Sequence, residues 1–261
     1  MTPALWAAKT GLDAQDMRMS VIANNIANVN TTGYKQSRGV FQDLIYQNVR
    51  QVGAQSTQDT QYPSGLYLGT GVRVVATEKV YSQGSSQQTN NPLDVAIQGN
   101  GFFQVLKPDG TTAYTRDGTL QLNAQGQLVT STGYTIQPPI TVSASTTSVT
   151  IGTDGTVSAV LAGASAPTTI GSLTLASFIN PAGLEATGSN LLVESAASGA
   201  PTVGTPGLNG LGTLQQGSLE SSNVNVVQEM VSMIETQRAY EMNSKAVQST
   251  DQMLSFLTQN L

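Results

Sequence analysis

The chain has 261 residues, only 10% of them charged, a net charge of −5, and neither cysteine nor histidine. There is therefore no disulfide framework, no zinc–thiolate site, no thiol nucleophile, and none of the imidazole that most often serves as general base or metal ligand. Eleven basic against sixteen acidic residues argue against nucleic-acid binding, which needs a basic face.

The N-terminal stretch MTPALWAAKTGLDAQDMRMS lacks a basic start followed by an apolar run, so no cleaved secretory signal is expected. No run of 18 apolar residues occurs, so no membrane insertion is expected. From Leu5, the positions Leu5, Ala8, Leu12, Gln15, Met19, Ile22, Ile26 and Val29 alternate steps of three and four, which predicts a helix with one sticky seam. Its end falls in Asn28–Gly33, where Asn, Thr and Gly compete with helical hydrogen bonding. Gly11 costs a helix interior about 1 kcal/mol relative to Ala, which a close helix–helix approach would explain.

Residues 46–65 are Gln-rich and close on Pro63-Ser64-Gly65; a loop or long exposed hairpin is expected. Beyond them, Asp109-Gly110, Asp117-Gly118, Gln125-Gly126, Gly133 and Asp154-Gly155 separate short runs rich in Val, Thr, Tyr, Phe and Ile, which predicts an antiparallel β-domain. Gly118 to Gln237 contains no Lys or Arg and six acids, as expected of a β-surface kept soluble by Ser, Thr and Gln. Residues 196–217, rich in Gly, Ala, Pro and Ser, read as a connector.

At the other end, Ser221-Ser222-Asn223 offers a helix start, with Asn225 and Glu229 following. Val226, Met233, Tyr240, Val247, Leu254 and Leu261 then recur every seven residues. The companion row Met230, Gln237, Ser244, Asp251 and Thr258 is mostly polar. The fold class expected is α+β: N- and C-terminal helices pairing as a coiled coil, with an inserted antiparallel β-rich domain. Two helices alone bury little, so assembly of several copies is expected, with termini poorly ordered in the free monomer.

Chemistry is hard to place. No S-x-x-K, G-x-S-x-G or P-loop string occurs. Gly69-Thr70-Gly71 and Gly99-Asn100-Gly101 lack a third glycine and read as turns. Asp109, Asp117 and Asp154 are candidates for a glycan-cleaving carboxylate pair, but each precedes Gly and reads better as a turn former. Phe102-Phe103 reads as β-core, and Trp6 as either core or helix interface.

ANNIANVNTTGYK (23–35) resembles the N-terminal signature of bacterial flagellar rod and hook axial proteins, and SNVNVVQEMVSMIETQRAYEMNSKAVQSTDQML (222–254) their C-terminal one. TGVRV (70–74), SQGSSQQTNNPLDVAIQGNGFFQV (82–105), YTRDGTLQLNAQGQLVTSTGY (114–134) and GTPGLNGLG (204–212) are similar too, so the resemblance spans the chain. The signature positions are Asn24, Asn25, Asn28, Thr32, Gly33, Tyr34, Asn223, Asn225, Gln237, Arg238 and Tyr240. Length and the Gln-rich segment make the chain most similar to the distal-rod branch, with hook and proximal rod subunits as alternatives.

The resemblance implies a structural subunit, exported without a cleaved signal peptide, that stacks helically with itself into a hollow shaft. It implies as partners the proximal rod proteins, the hook protein, the P and L ring bushing, the rod cap and the export apparatus. It implies neither catalysis nor a cofactor. The division implied is a helical domain of 1–30 and 222–261, a connecting domain of 31–75 and 205–221, and an outer β-domain of 76–204. The expected subunit interface is Leu5, Leu12, Met19, Ile22, Ile26, Val226, Met230, Met233, Tyr240, Val247 and Leu254. A rod-specific contact is implied for Gln51, Gln55, Gln58 and Gln61.

Overall fold

The computed structural model describes residues 3–53, 55–57, 60–163 and 166–259, without the side chains of 3, 55–57, 60–61, 254 and 257–259. The chain forms two compact units. One comprises Met1–Ala27, Ser37–Glu78 and Asn225–Leu261, the other Asn28–Gln36 and Lys79–Val224.

The first unit is built on two helices, α1 (Pro3–Ala27) and α2 (Val226–Gln259), which pack against each other. At 1.5 Å per residue the 34-residue α2 is about 51 Å long. The N-terminal helix stops before the Asn/Thr/Gly-rich turn, as its sequence predicts. The start of α2 is a correction. Ser221-Ser222-Asn223 is not its cap; Asn225 is, its Oδ1 accepting the backbone N–H of Val227 and Gln228 at 3.1 and 3.3 Å.

Gly11 faces Asn243 of α2. A β-carbon there would meet Asn243 Nδ2 at 3.0 Å, so the close approach expected from the sequence is present. The Gly71 backbone takes φ +114° and leaves no room for a side chain, because a β-carbon would fall 2.0 Å from Thr10 Oγ1 on α1. That hydroxyl accepts the Val72 N–H at 3.3 Å and so ties strand Val72–Lys79 to the helix. Val72–Lys79 pairs with Ser37–Asp43. The Gln-rich segment is the hairpin alternative, not a loop: Gln47–Arg50 pairs antiparallel with Leu66–Leu68, and Gln55–Thr57 with Thr60–Gln61.

The second unit is antiparallel β throughout its described pairings. Strand Phe102–Leu106 is its hub. One edge pairs with Thr112–Thr115; the other is shared by Thr135–Gln137 and Leu175–Ser177. Alternation along this strand sends Phe103 into a core with Ile97, Leu120, Leu128, Ile136 and Leu214. It sends Phe102 into a smaller one with Tyr114, Phe178 and Leu192. In the smaller core the Tyr114 and Phe178 rings meet edge to face at 4.8 Å. Residues 196–217 are not a plain connector. Thr202–Gly204 pairs with Leu175–Ser177 and Thr213–Gln216 with Val95–Gln98, so both stretches are built into the sheets.

Candidate functional site

Asp109, Asp117 and Asp154 are structural. Each begins an Asp-Gly-Thr triplet, and in each a carboxylate accepts both the N–H and the hydroxyl of the Thr two residues on. These bonds hold the Asp109 and Asp154 carboxyls below the usual carboxylate range. Among the described residues no group of His, Cys, Asp and Glu is placed to hold a metal ion, and no helix is long and apolar enough to cross a membrane. The informative features are exposed apolar surface in the first unit and buried polar clamps in both.

The expected seam of α1 faces inward. Ile22 is buried, and Leu5, Leu12, Met19 and Ile26 are half-buried. The seam of α2 divides. Met233 and Val247 are half-buried, whereas Val226, Met230 and Tyr240 are exposed; the Leu254 side chain lies outside the described residues. The buried positions of α2 are Glu229 and Thr236, with Asn243 beside Gly11. The face α2 buries is thus small and polar, while Val227 (71% exposed), Met230 (54%), Val231, Ile234 and Met242 are left outside. Monomers rarely leave so much contiguous apolar surface in water.

The hairpin shows the same excess. Ile45 is 89% exposed, and Tyr46, Val49, Val52, Leu66, Tyr67 and Leu68 are also exposed. Two strands cannot bury their own faces, so these apolar side chains are left in contact with water. Gln51 is exposed, Gln58 lies outside the described residues, and Gln55 and Gln61 are described only in their strand backbone. The described exposed groups of the hairpin are both apolar and amide, Gln47, Asn48 and Gln51 being the amides.

The signature residues divide into clamps and surface. In the first unit Asn25, fully buried, pairs with the backbone of Ser37 twice: Nδ2 donates to its carbonyl at 2.8 Å and Oδ1 accepts its N–H at 2.9 Å. In the second unit Asn223 does the same work, accepting from Gln36 N at 2.7 Å and donating to Val80 O at 2.8 Å. Thr32 donates to Asp117 Oδ1 at 3.0 Å, and Asn28 accepts from Thr31 Oγ1 at 3.2 Å. Gly33 takes φ +66° against the backbone of Arg116 and donates to the Glu220 carbonyl at 2.8 Å. Tyr34 is buried beneath Lys79 Nζ, 5.2 Å from its ring centre. Asn24, Gln237, Arg238 and Tyr240 are exposed.

The cluster that sequence reading missed is ionic. Glu220 is buried and joins two buried cations: Lys35 Nζ at 2.6 Å from Oε1, and Arg116 Nη1 at 3.3 Å from Oε2. Lys35 also donates to Ser82 O, Gly84 N–H to Glu220 Oε1, and Arg116 Nη2 to Gly99 O. Burial pushes the Lys35 ammonium below its ordinary range, against the pull of Glu220. It pushes the neighbouring Tyr81 hydroxyl up to about 12. Lys35, Arg116 and Glu220 are far apart in the chain, and no local pattern announces them.

Three family models match. A flagella basal body rod protein model matches residues 5–35, the flagellar hook protein FlgE/F/G D1 domain matches 96–159, and the flagellar basal body rod FlgEFG protein C-terminal model matches 215–260. The flagellar basal-body rod protein FlgG of Buchnera aphidicola subsp. Schizaphis graminum is 56% identical over 99% of this chain and 100% of its own length. FlgG of Borreliella burgdorferi is 47% identical over 97% of both chains, and FlgG of Bacillus subtilis 36% over 98% of both. Identity of this order along both chains settles the relationship: the chain belongs to the flagellar basal-body rod protein family.

Proposed function

We infer that the chain is the structural subunit of the distal rod. It polymerises helically into a rigid hollow shaft that crosses the periplasm, transmits motor torque to the hook and lets exported subunits pass. Its partners are further copies of itself, the proximal rod proteins, the hook protein, the P and L ring bushing, and the rod cap and export apparatus during assembly. It reaches the basal body without a cleaved signal peptide.

The observation that carries this reading is the apolar face of α2 from Val227 to Met242, exposed on a helix whose inner face is already used. A surface of this kind needs a protein partner, and family membership supports reading other rod subunits as that partner. The interface proposed is Leu5, Leu12, Met19, Ile22, Ile26, Val226, Met230, Met233, Tyr240, Val247 and Leu254, of which Val226, Met230 and Tyr240 are exposed to a neighbouring subunit, whereas Ile22 is buried within this one. The hairpin of 46–65 adds a further contact that stiffens the shaft.

Purified full-length protein, raised in concentration and viewed by negative stain, is expected to form straight rods. Met230→Asp with Tyr240→Asp should leave the monomer folded and abolish the rods. Deleting 51–61 should give curved or bendable polymers. Curved tubes from the unmodified chain would favour a hook-type subunit, and a permanent monomer would defeat assembly altogether.

A further inference from the structure

The second unit holds a cavity of about 220 Å³ whose walls include Tyr34, Lys35, Lys79, Tyr81, Arg116 and Asn190. Its charge is out of keeping with the molecule. In a chain of net charge −5, three cations line it, and one carboxylate, Glu220, is paired with two of them. Lys79 forms no ion pair among the described residues; its recorded contact is the Tyr34 ring. Burial pushes its ammonium below the ordinary range, the mark of a cation held without enough negative charge nearby.

Among the described residues of the cluster, buried donors without a hydrogen bond outnumber acceptors: the acceptor is Glu220 Oε2, which meets Arg116 Nη1 as an ion pair at 3.3 Å. The Arg116 side chain is only 4% exposed, yet its Nε–H finds no hydrogen-bond acceptor. The Tyr81 hydroxyl, also shut off from solvent, has none either, and it stays protonated and able to donate throughout the physiological range. Native proteins rarely leave buried donors unmatched, and an unmatched buried donor points to a missing acceptor. Two buried cations on one carboxylate leave a positive charge uncompensated in a low-dielectric surrounding, where an anion is worth far more than in water.

We propose that this cavity binds a small oxyanion, a phosphate or a carboxylate, held by Lys79 with Arg116 and Tyr81 as supporting donors. A phosphate free in solution and a carboxylate side chain of a second copy offer the same oxygens. Nothing in the proposal depends on the rod assignment.

The test is titration of inorganic phosphate into the full-length monomer at constant ionic strength, followed by backbone amide chemical shifts. Saturable shifts at Gly33, Lys35 and Asn190 are expected. Lys79→Met should weaken them about tenfold and Tyr81→Phe a few-fold, with melting temperatures in phosphate-free buffer unchanged. Lys107→Met, at a surface ion pair with Asp109, should have no effect.

Acetate divides the sources. If acetate competes with phosphate and Lys79→Met also weakens self-association, the site takes a neighbour's carboxylate. If phosphate alone binds, it takes a free anion. Absence of saturation by about 50 mM phosphate, well beyond millimolar affinity, would overturn the proposal. So would equal shifts in the Lys79→Met variant, which mean an adventitious ion only.

Discussion

Lys35 Nζ and Glu220 Oε1 lie 2.6 Å apart, both side chains almost fully buried, although 185 residues separate them in the chain. Glu220 also faces Arg116, so removing its charge strands two buried cations at once. Glu220→Gln is therefore expected to destabilise the protein by about 3–5 kcal/mol in urea unfolding, the usual cost of breaking a buried pair. Lys35→Met with Glu220→Gln should recover part of that loss. A loss under about 1 kcal/mol for Glu220→Gln would mean that the cluster is far wetter than its burial indicates.

Gly11 faces Asn243 where α1 packs against α2. Gly11→Ala gains about 1 kcal/mol of helix propensity and asks only that the end of the Asn243 side chain move, so it should be close to neutral. Gly11→Leu cannot be absorbed that way. It should cost about 1–3 kcal/mol, as overpacking does, read from thermal melts followed by helical circular dichroism. Equal melting temperatures for the two variants would contradict a tight approach at this turn.

Asp109 and Asp154 make the acid end of the stability curve predictable. Their folded-state pKa values lie below the ordinary 3.8 because Thr111 and Thr156 hydrogen-bond the ionised form. A lowered carboxyl pKa stabilises the fold above the unfolded value, and the effect is lost as pH falls through the folded one. The double variant Asp109→Asn, Asp154→Asn should thus melt lower than the unmodified protein at neutral pH. The gap should narrow below pH 3.8; a constant gap would show that the charges contribute nothing.

Tyr81 governs the alkaline end. Its hydroxyl titrates at about 12 in the fold rather than near 10, since burial opposes the phenolate. The neutral phenol contributes fully below pH 10, and that contribution is lost as pH rises from 10 to about 12. Ultraviolet titration should show one tyrosine ionising last, and Tyr81→Phe should delete that step and flatten the alkaline loss of stability. Ionisation of every tyrosine near 10 without unfolding would refute the burial argument.

Much of the architecture was legible in local pattern. Three- and four-residue spacing marked both helices, and Asp-Gly pairs marked the turns of the β-domain. Gly11 announced a close approach because a glycine in mid-helix is otherwise only a cost. The Asp-Gly-Thr triplets are a signal that was open to reading, since a carboxylate two residues before a Thr hydroxyl has the right reach to close the turn. The start of α2 was misread because Ser222, Asn223 and Asn225 are all good caps. Asn223 was already committed to the backbone of Gln36 and Val80, which no local rule shows.

The sequence by itself determined the two terminal helices, the β character of the middle, the family signature and the absence of histidine and cysteine chemistry, because these depend on composition and on neighbours a few residues apart. Tertiary structure alone decided which face of α2 is spent within the subunit and which is left apolar and open. It alone brought Lys35, Arg116 and Glu220 together beside Lys79. The physical reason is the same in both cases: burial and charge pairing are set by distance in space, and Lys35, Arg116 and Glu220 are 81 or more positions apart in the chain.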